Sequence, residues 1–365
     1  MDSTRLVERF CRYVSCDSES GNEQRFCELI ESELRALGLN VKRDEVGNKC
    51  GSNGWNVYAC LPGQGEPILF SAHMDTVSPG IGIKPVLRDG VIYSSGDTIL
   101  AADDKAGIAA IMEALEIIKE TSAVHRPVEV LFTVCEEVGL LGAKYADYSN
   151  IKSKQAVVLD SGAPGSMVNN APAKVELSVE ITGRAAHAAV DPDKGINAVK
   201  AAAAAIARIP SGVVDDYTVM NVANFLSPGK SNVVPEKANF NIDLRSFDTN
   251  ILEEHILQVD SMLKSACQEI GATYKLEVDR QFDILFIPPE NPLIARLQEV
   301  YASLGVPSSI EKTYGGADST WLFYNGLDAI NIGTGMTDVH STGEHIALRD
   351  LEMLTKVTLE MMRPA

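Results

Sequence analysis

Residues 128–139 read VEVLFTVCEEVG. The first seven are mostly β-branched, aromatic or aliphatic, the make-up of a strand, and the run is too short to be a helix buried on every side. A strand apolar on both faces belongs to a sheet covered on both sides. Two adjacent glutamates, Glu136 and Glu137, then stand where this strand leaves the core. Three other runs have the same length and character: PILFSAH (67–73), QAVVLD (155–160) and DAINIG (328–333). Between them lie segments with apolar residues at helical spacing, TRLVERFCRYV (4–14), NEQRFCELIESELRALG (22–38) and DKAGIAAIMEALEIIKE (104–120). Gly38 closes the second as a C-cap. Short buried strands alternating with helices predict an α/β fold: a mostly parallel sheet with helices on both faces.

From about Lys174 the rhythm changes. The pattern becomes strand (174–182), helix (196–208), strand (217–225), strand (237–246), helix (250–270) and strand (273–281), the β-α-β-β-α-β order of a ferredoxin-like α+β unit. It sits between two stretches of the α/β pattern, so the expected organisation is a first part at 1–173, an inserted domain at 174–284 and a second part at 285–365. The alanine-rich AVKAAAAAIARI predicts a helix packed close on its sheet, because alanine favours helix and takes little room.

Composition bounds the function. The chain has 365 residues, 45% apolar and 22% charged, as in ordinary globular proteins. A net charge of −18 argues against nucleic acid or an anionic membrane as partner, since both need clustered Lys and Arg. The amino-terminal MDSTRLVERF lacks the uninterrupted apolar stretch of a signal peptide, and no run reaches the roughly 18 apolar residues of a membrane span. A cytoplasmic location is expected. Seven scattered cysteines with no C-x-x-C pattern suggest neither a disulfide framework nor a thiolate zinc site.

Acids and imidazoles collect where strands end. LFSAHMD holds His73 and Asp75, AADDKAG holds Asp103 and Asp104, TVCEE holds Glu136 and Glu137, VVLDSG holds Asp160, and GMTDVHS holds His340. The carboxyl ends of parallel strands share one edge, and ligands bind in the crevice there. So many carboxylates in one cleft repel one another by several kcal/mol at about interior dielectric values, and Lys105 is the only cation inside these segments. Metal cations resolve the repulsion. Histidine with carboxylate suits Zn²⁺, Co²⁺ or Mn²⁺. Two ions about 3.5–4 Å apart share a bridging carboxylate and activate water toward a carbonyl. In that arrangement one glutamate of the 136–137 pair binds metal and its neighbour is free to accept a proton.

The ordered set HMDT, GDTILAADDKAG, EEVGLLGAK, VVLDSG, GRAAHAAVDPDKGINA, SNVVPEKANFNIDLRSFD, YGGADST and VHSTGEHI resembles the M20 metallopeptidases, and within them the peptidase T-like group, over nearly the whole chain. The resemblance implies a di-zinc exopeptidase with two Zn²⁺ per subunit, acting on short peptides, and a homodimer formed through the inserted lid domain. It implies His73, Asp103, Glu137, Asp160 and His340 as metal ligands, with Asp103 bridging. His73 would go with Asp160, and His340 with Glu137. It makes Glu136 the general base and Asp75 the acid that orients an imidazole. His187 would donate to the oxyanion, and Asn232, Arg245, Gly315 and Gly316 would contact substrate. Where peptidase T relatives often have Gly-Ala-Asp, this chain has Ala101-Ala102-Asp103, a slightly tighter loop.

The expected reaction is release of the first residue of a tripeptide. Within the family, N-acyl amino acid deacylation, dipeptide cleavage and carboxypeptidase action remain alternatives, and a non-catalytic peptide-binding scaffold is the alternative of another class. Other readings stand beside individual residues. Asp104 reads as a helix-cap acid, Arg245 as a partner of Asp243 or Asp248, and Glu344 as either a helix-start acid or a neighbour of the metal site. His125 and His255 read as surface residues, and Cys135 as facing the core.

Overall fold

The computed structural model describes residues 2–364. The chain forms two compact units: one runs to Asn170 and resumes at Phe286, and the other is Ala171–Leu285.

The first unit is built on a nine-stranded sheet among the described residues. Its centre is four parallel strands, Val128–Thr133, Ile68–His73, Gln155–Ser161 and Asp328–Gly333, in that spatial order. These are the four apolar runs of the sequence, and the first two are buried at every position. Full burial follows from helices on both faces: a strand that meets solvent on neither side needs no polar face. Antiparallel strands flank this centre. Asn40–Asp44 pairs Asn56–Leu61, which pairs Val128–Thr133, and Ser166–Ala171 pairs Asp328–Gly333 on the far side. A separate four-stranded sheet joins the hairpin Pro85–Arg88 and Val91–Ser94 to His345–Ala347 and Met336–Thr337.

The helix Ala102–Thr121 crosses the sheet with most of its residues buried. Its close approach depends on Gly107, where a Cβ would stand 2.6 Å from the Leu159 carbonyl oxygen and 2.6 Å from Asp104 Oδ1. The helix Gln24–Ala36 ends as expected at Gly38, whose φ of +88° is in the left-handed region; the Leu39 amide reaches back to the Leu34 carbonyl at 3.1 Å.

The second unit has a sheet with Thr218–Leu226, Lys237–Ser246, Ala173–Thr182 and Thr273–Phe282 side by side, all antiparallel. Two helices, Ala198–Ile206 and Thr249–Ile270, cover one face. Strand alternation puts Val175, Leu177, Val179 and Ile181 inward, opposite Phe240, Ile242 and Leu244 of the neighbouring strand. Ala198, Ala201, Ala202 and Ala205 form the buried stripe of the shorter helix, which packs close for want of side-chain bulk. His255, read from the sequence as a surface residue, is buried instead, with Nε2 at 2.7 Å from Asp215 Oδ2. Its position on the inner stripe of Thr249–Ile270 puts it there, and Asp215 meets its polarity. Among the described residues no helix is long and apolar enough to cross a membrane.

Candidate metal centre

At the carboxyl ends of the four parallel strands lies a cavity of about 310 Å³ within the first unit, lined by Asp103, Glu136, Glu137, Asp160, Asp338 and His340 among others. Gly315 and Gly316 form part of its wall, and no lysine or arginine does.

Each acid arrives by its own route. His73 is the last residue of Ile68–His73, and Thr133 lies directly beside it in the neighbouring strand. Glu136 and Glu137 follow that neighbour through Cys135, whose φ of +54° turns the chain sharply. Asp160 is near the end of Gln155–Ser161, where Asn331 grips it from the next strand: its Oδ1 accepts the Asp160 amide at 2.9 Å and its Nδ2 donates to the Asp160 carbonyl at 2.7 Å. His340 sits in a tight turn at φ +61°.

The Asp103 carboxylate spans two imidazoles. Oδ1 lies 3.0 Å from His73 Nε2, and Oδ2 lies 3.2 Å from His340 Nε2. His340 Nε2 is also 3.0 Å from Glu137 Oε1. On the far side of the His73 ring, Nδ1 is 2.9 Å from the Asp75 carbonyl oxygen, which can only accept, so Nδ1 carries a hydrogen. In the neutral ring Nε2 is then a lone pair facing a carboxylate oxygen, and such a contact requires a proton or a cation between the two. That contact is the test of whether these residues fit a metal, and they fit. The ligand atoms of His73, Asp103 and Glu137 lie within 4.8 Å of one another, as do those of His73, Asp104 and Asp160.

Protonation tendencies tell the same story. Burial alone pushes the His73 imidazole down, yet its hydrogen bonds to Asp103 and Asp75 hold it well above its ordinary value. The Asp103 bond raises His340 to about 9. Burial pushes Glu137 up to about 7, and drives Glu136 and Asp160 well above the usual carboxylate range. Without cations the cluster cannot carry all its negative charge.

Asp104 has a different occupation from its neighbour. Its Oδ1 accepts the Gly107 amide and its Oδ2 the His73 amide, both at 3.2 Å, so it caps the helix and ties it to the strand end. Lys105 turns away from the acids, donating to the Cys16 carbonyl at 2.7 Å with its ammonium 4.6 Å from the Phe26 ring centre. Burial lowers it to about 8.

Asp75 lies beneath the site, fully buried. Its carboxylate is 3.5 Å from His73 Nδ1 and also receives the Glu136 amide at 2.9 Å and the Glu137 amide at 3.2 Å. One carboxylate thus accepts both glutamate amides and lies beside the imidazole edge.

Four groups that sequence reasoning passed over support the site. Glu23 accepts the Cys135 amide at 3.2 Å, and the buried Asp318 accepts from the Thr133 hydroxyl. Asn331 grips Asp160, and Asn56 Oδ1 accepts the Val134 amide at 3.1 Å. No local signal marks such residues, because each acts on main chain far away in sequence. Cys135 is buried, with Sγ 3.3 Å from Glu23 Oε1.

His187, Asn232 and Arg245 belong to the second unit. His187 is exposed; its Nδ1 accepts the Ala189 and Val190 amides at 3.3 and 3.2 Å, which leaves Nε2 as the protonated nitrogen. Asn232 is beside it, its carbonyl accepting the Ala188 amide at 3.0 Å. Arg245 lies on Lys237–Ser246 and forks onto Asp243, at 2.8 Å to Oδ1 and 3.0 Å to Oδ2.

A family model described as peptidase family M20/M25/M40 matches residues 69–363. The chain is 31% identical to the uncharacterized protein YqjE of Bacillus subtilis (strain 168), over 100% of this chain and 99% of that one. Among solved structures, a tripeptidase from Staphylococcus aureus subsp. aureus Mu50 superposes with a TM-score of 0.95 at 31% identity, covering 100% of this chain and 98% of that one. The aminopeptidase PepT from Bacillus cereus ATCC 10987 does so with a TM-score of 0.91 at 31% identity, covering 99% and 98%.

Proposed function

The chain belongs to peptidase family M20/M25/M40, and from that premise we propose that it is a di-zinc aminopeptidase of the peptidase T type, releasing the first residue of tripeptides. The observation that carries the reading is the Asp103 carboxylate set between the Nε2 atoms of His73 and His340, with Glu136 on the wall of the same cavity. The names of the two similar structures, a tripeptidase and an aminopeptidase, support the substrate class.

In this reading His73 and Asp160 hold one ion, His340 and Glu137 hold the other, and Asp103 is shared. Two Zn²⁺ ions, with Co²⁺ or Mn²⁺ as substitutes, supply Lewis acidity toward a carbonyl oxygen and lower the pKa of water. Glu136 accepts a proton from the attacking water as the C–O bond forms. It then returns that proton to the leaving nitrogen as the C–N bond breaks. Asp75 keeps Glu136 aimed by holding its amide. His187, with Nε2–H as donor, stabilises the oxyanion, Asn232 and Arg245 contact the peptide, and Gly315 and Gly316 let its backbone come close.

The cavity's charge favours a free amino terminus. Five of its lining residues are acids and none is a lysine or arginine. Two divalent cations offset Asp103, Glu136, Glu137 and Asp160, and Asp338 remains to attract an ammonium group. A homodimer through the second unit is part of the proposal. The outer edge of Thr218–Leu226 pairs with Gly212–Val213 only at Val219 and Met220, and Phe225 and Leu226 beyond that pairing are exposed. A cytoplasmic setting accords with seven unpaired cysteines.

The test is a panel of tripeptides, dipeptides and N-acyl amino acids offered to the zinc- or cobalt-reconstituted protein. Release of the first residue of tripeptides supports the reading, whereas deacylation without tripeptide cleavage overturns it. Glu136→Ala should lose about 10²–10⁴-fold in kcat and keep its metal, as expected for a general base; an active variant removes that assignment.

A further inference from the structure

Glu344 is four residues past His340, and its side chain is 1% exposed. A helix-start acid would face its own helix, but this carboxylate reaches across to another turn of the chain. Oε2 accepts the Leu100 and Ala101 amides, each at 2.8 Å, and Oε1 accepts the Asp103 amide at 3.0 Å. All three donors belong to the turn that delivers Asp103.

That turn needs holding. Ala101 has φ +63° and ψ 32°, a left-handed conformation in which the Cβ of an L residue crowds its own carbonyl oxygen. Its amide is one of the three that Glu344 binds. Glu344 is meanwhile tied to the His340 turn by its own main chain: its amide donates to the Ser341 carbonyl at 3.1 Å, and the Ser341 hydroxyl donates to the Asp338 carbonyl at 2.7 Å. One carboxylate therefore joins two segments 241 residues apart, Asp103 on one and His340 on the other. Their functional atoms, Asp103 Oδ2 and His340 Nε2, are 3.2 Å apart.

We propose that Glu344 is a positioning residue for the metal centre: by clamping the 100–103 amides it sets the Asp103 carboxylate at the height of the His340 ring. The proposal rests on the metal-centre reading above and adds to it the group that sets the separation between two of its ligands. Glutamine cannot replace it. Whichever way the amide is turned, an NH₂ group faces either the Asp103 amide or the Leu100 and Ala101 pair, donor against donor.

The test uses full-length protein freed of metal with a chelator and titrated with Co²⁺, following the heat of binding and the visible cobalt absorption. Glu344→Gln is expected to weaken Co²⁺ binding by about 10- to 100-fold, the range found when groups supporting a ligand are removed, and to shift the cobalt spectrum. A role confined to folding would lower the melting temperature of the metal-free protein and leave affinity and spectrum as in the wild type; that result overturns the proposal. Should Glu344→Gln fail to fold, Glu344→Asp, too short to reach all three amides, is read by the same criteria. Wild-type protein that binds cobalt but cleaves no peptide removes the peptidase reading and leaves this one standing. Wild-type protein that binds no cobalt removes both.

Discussion

The carboxylate of Asp75 carries the main chain of Glu136, its Oδ1 accepting the Glu136 amide at 2.9 Å. The other oxygen takes the Glu137 amide at 3.2 Å and the Ser20 hydroxyl at 2.7 Å. One buried acid thus fixes the proposed base and a proposed ligand together. Asp75→Asn turns one of these acceptors into a donor that faces an N–H or O–H group. We expect kcat for tripeptide cleavage to fall by about 10- to 100-fold while far-UV circular dichroism is kept. Wild-type kcat in that variant would mean that the glutamate pair is held by something else.

Metal binding should release protons. The Asp103 bond holds His340 at about 9 and burial holds Glu137 at about 7, so at neutral pH the metal-free site retains protons that ligands must give up. Calorimetric titration with Zn²⁺ in two buffers of different ionisation enthalpy should give different heats, and apparent affinity should rise with pH. Identical heats in both buffers would count against a protonated site.

Ala101→Gly should stabilise the protein. The left-handed backbone at φ +63° strains alanine and suits glycine, and the gain exceeds the extra freedom glycine has in the unfolded chain. The net expectation is roughly 0.5–1 kcal/mol, read as a higher urea midpoint with an unchanged slope. A lower midpoint would show that the turn is relaxed with alanine.

Asp243 in the second unit should contribute acid-labile stability. Burial raises this carboxyl, but the Arg245 fork and Lys174 pull it below its ordinary value. A folded-state pKa below the unfolded one gives stability that is complete above the unfolded value, about 3.9, and is lost as pH falls through the folded value. The urea midpoint of wild type should therefore exceed that of Asp243→Asn at about pH 6, with the gap closing progressively as the pH is lowered below the unfolded value of about 3.9. A gap that persists undiminished in acid would show that the ion pair is not its source.

Much of the fold was legible because burial writes itself into composition. Strands covered on both faces must be apolar throughout, so VEVLFTV, PILFSAH, QAVVLD and DAINIG announced the parallel centre of the sheet. Alternation in Ala173–Thr182 and Lys237–Ser246 marked strands covered on one face only. The flanking strand Asn40–Asp44 has charged, largely exposed residues and carries neither pattern. It is a strand because Asn56–Leu61 pairs with it.

For the candidate site, sequence by itself determined which residue types stand at the ends of which strands, and hence that a crowd of acids and imidazoles faces one crevice. Tertiary structure alone decided what each carboxylate does there. Asp103 and Asp104 are chain neighbours of identical chemistry, yet one lies between two imidazoles and the other caps a helix. Glu344, Glu23 and Asn331 act on amides and carbonyls brought to them by the fold, from partners 241, 112 and 171 residues away. A carboxylate's role is set by the donors within about 3 Å of its oxygens, and folding rather than chain order supplies those donors.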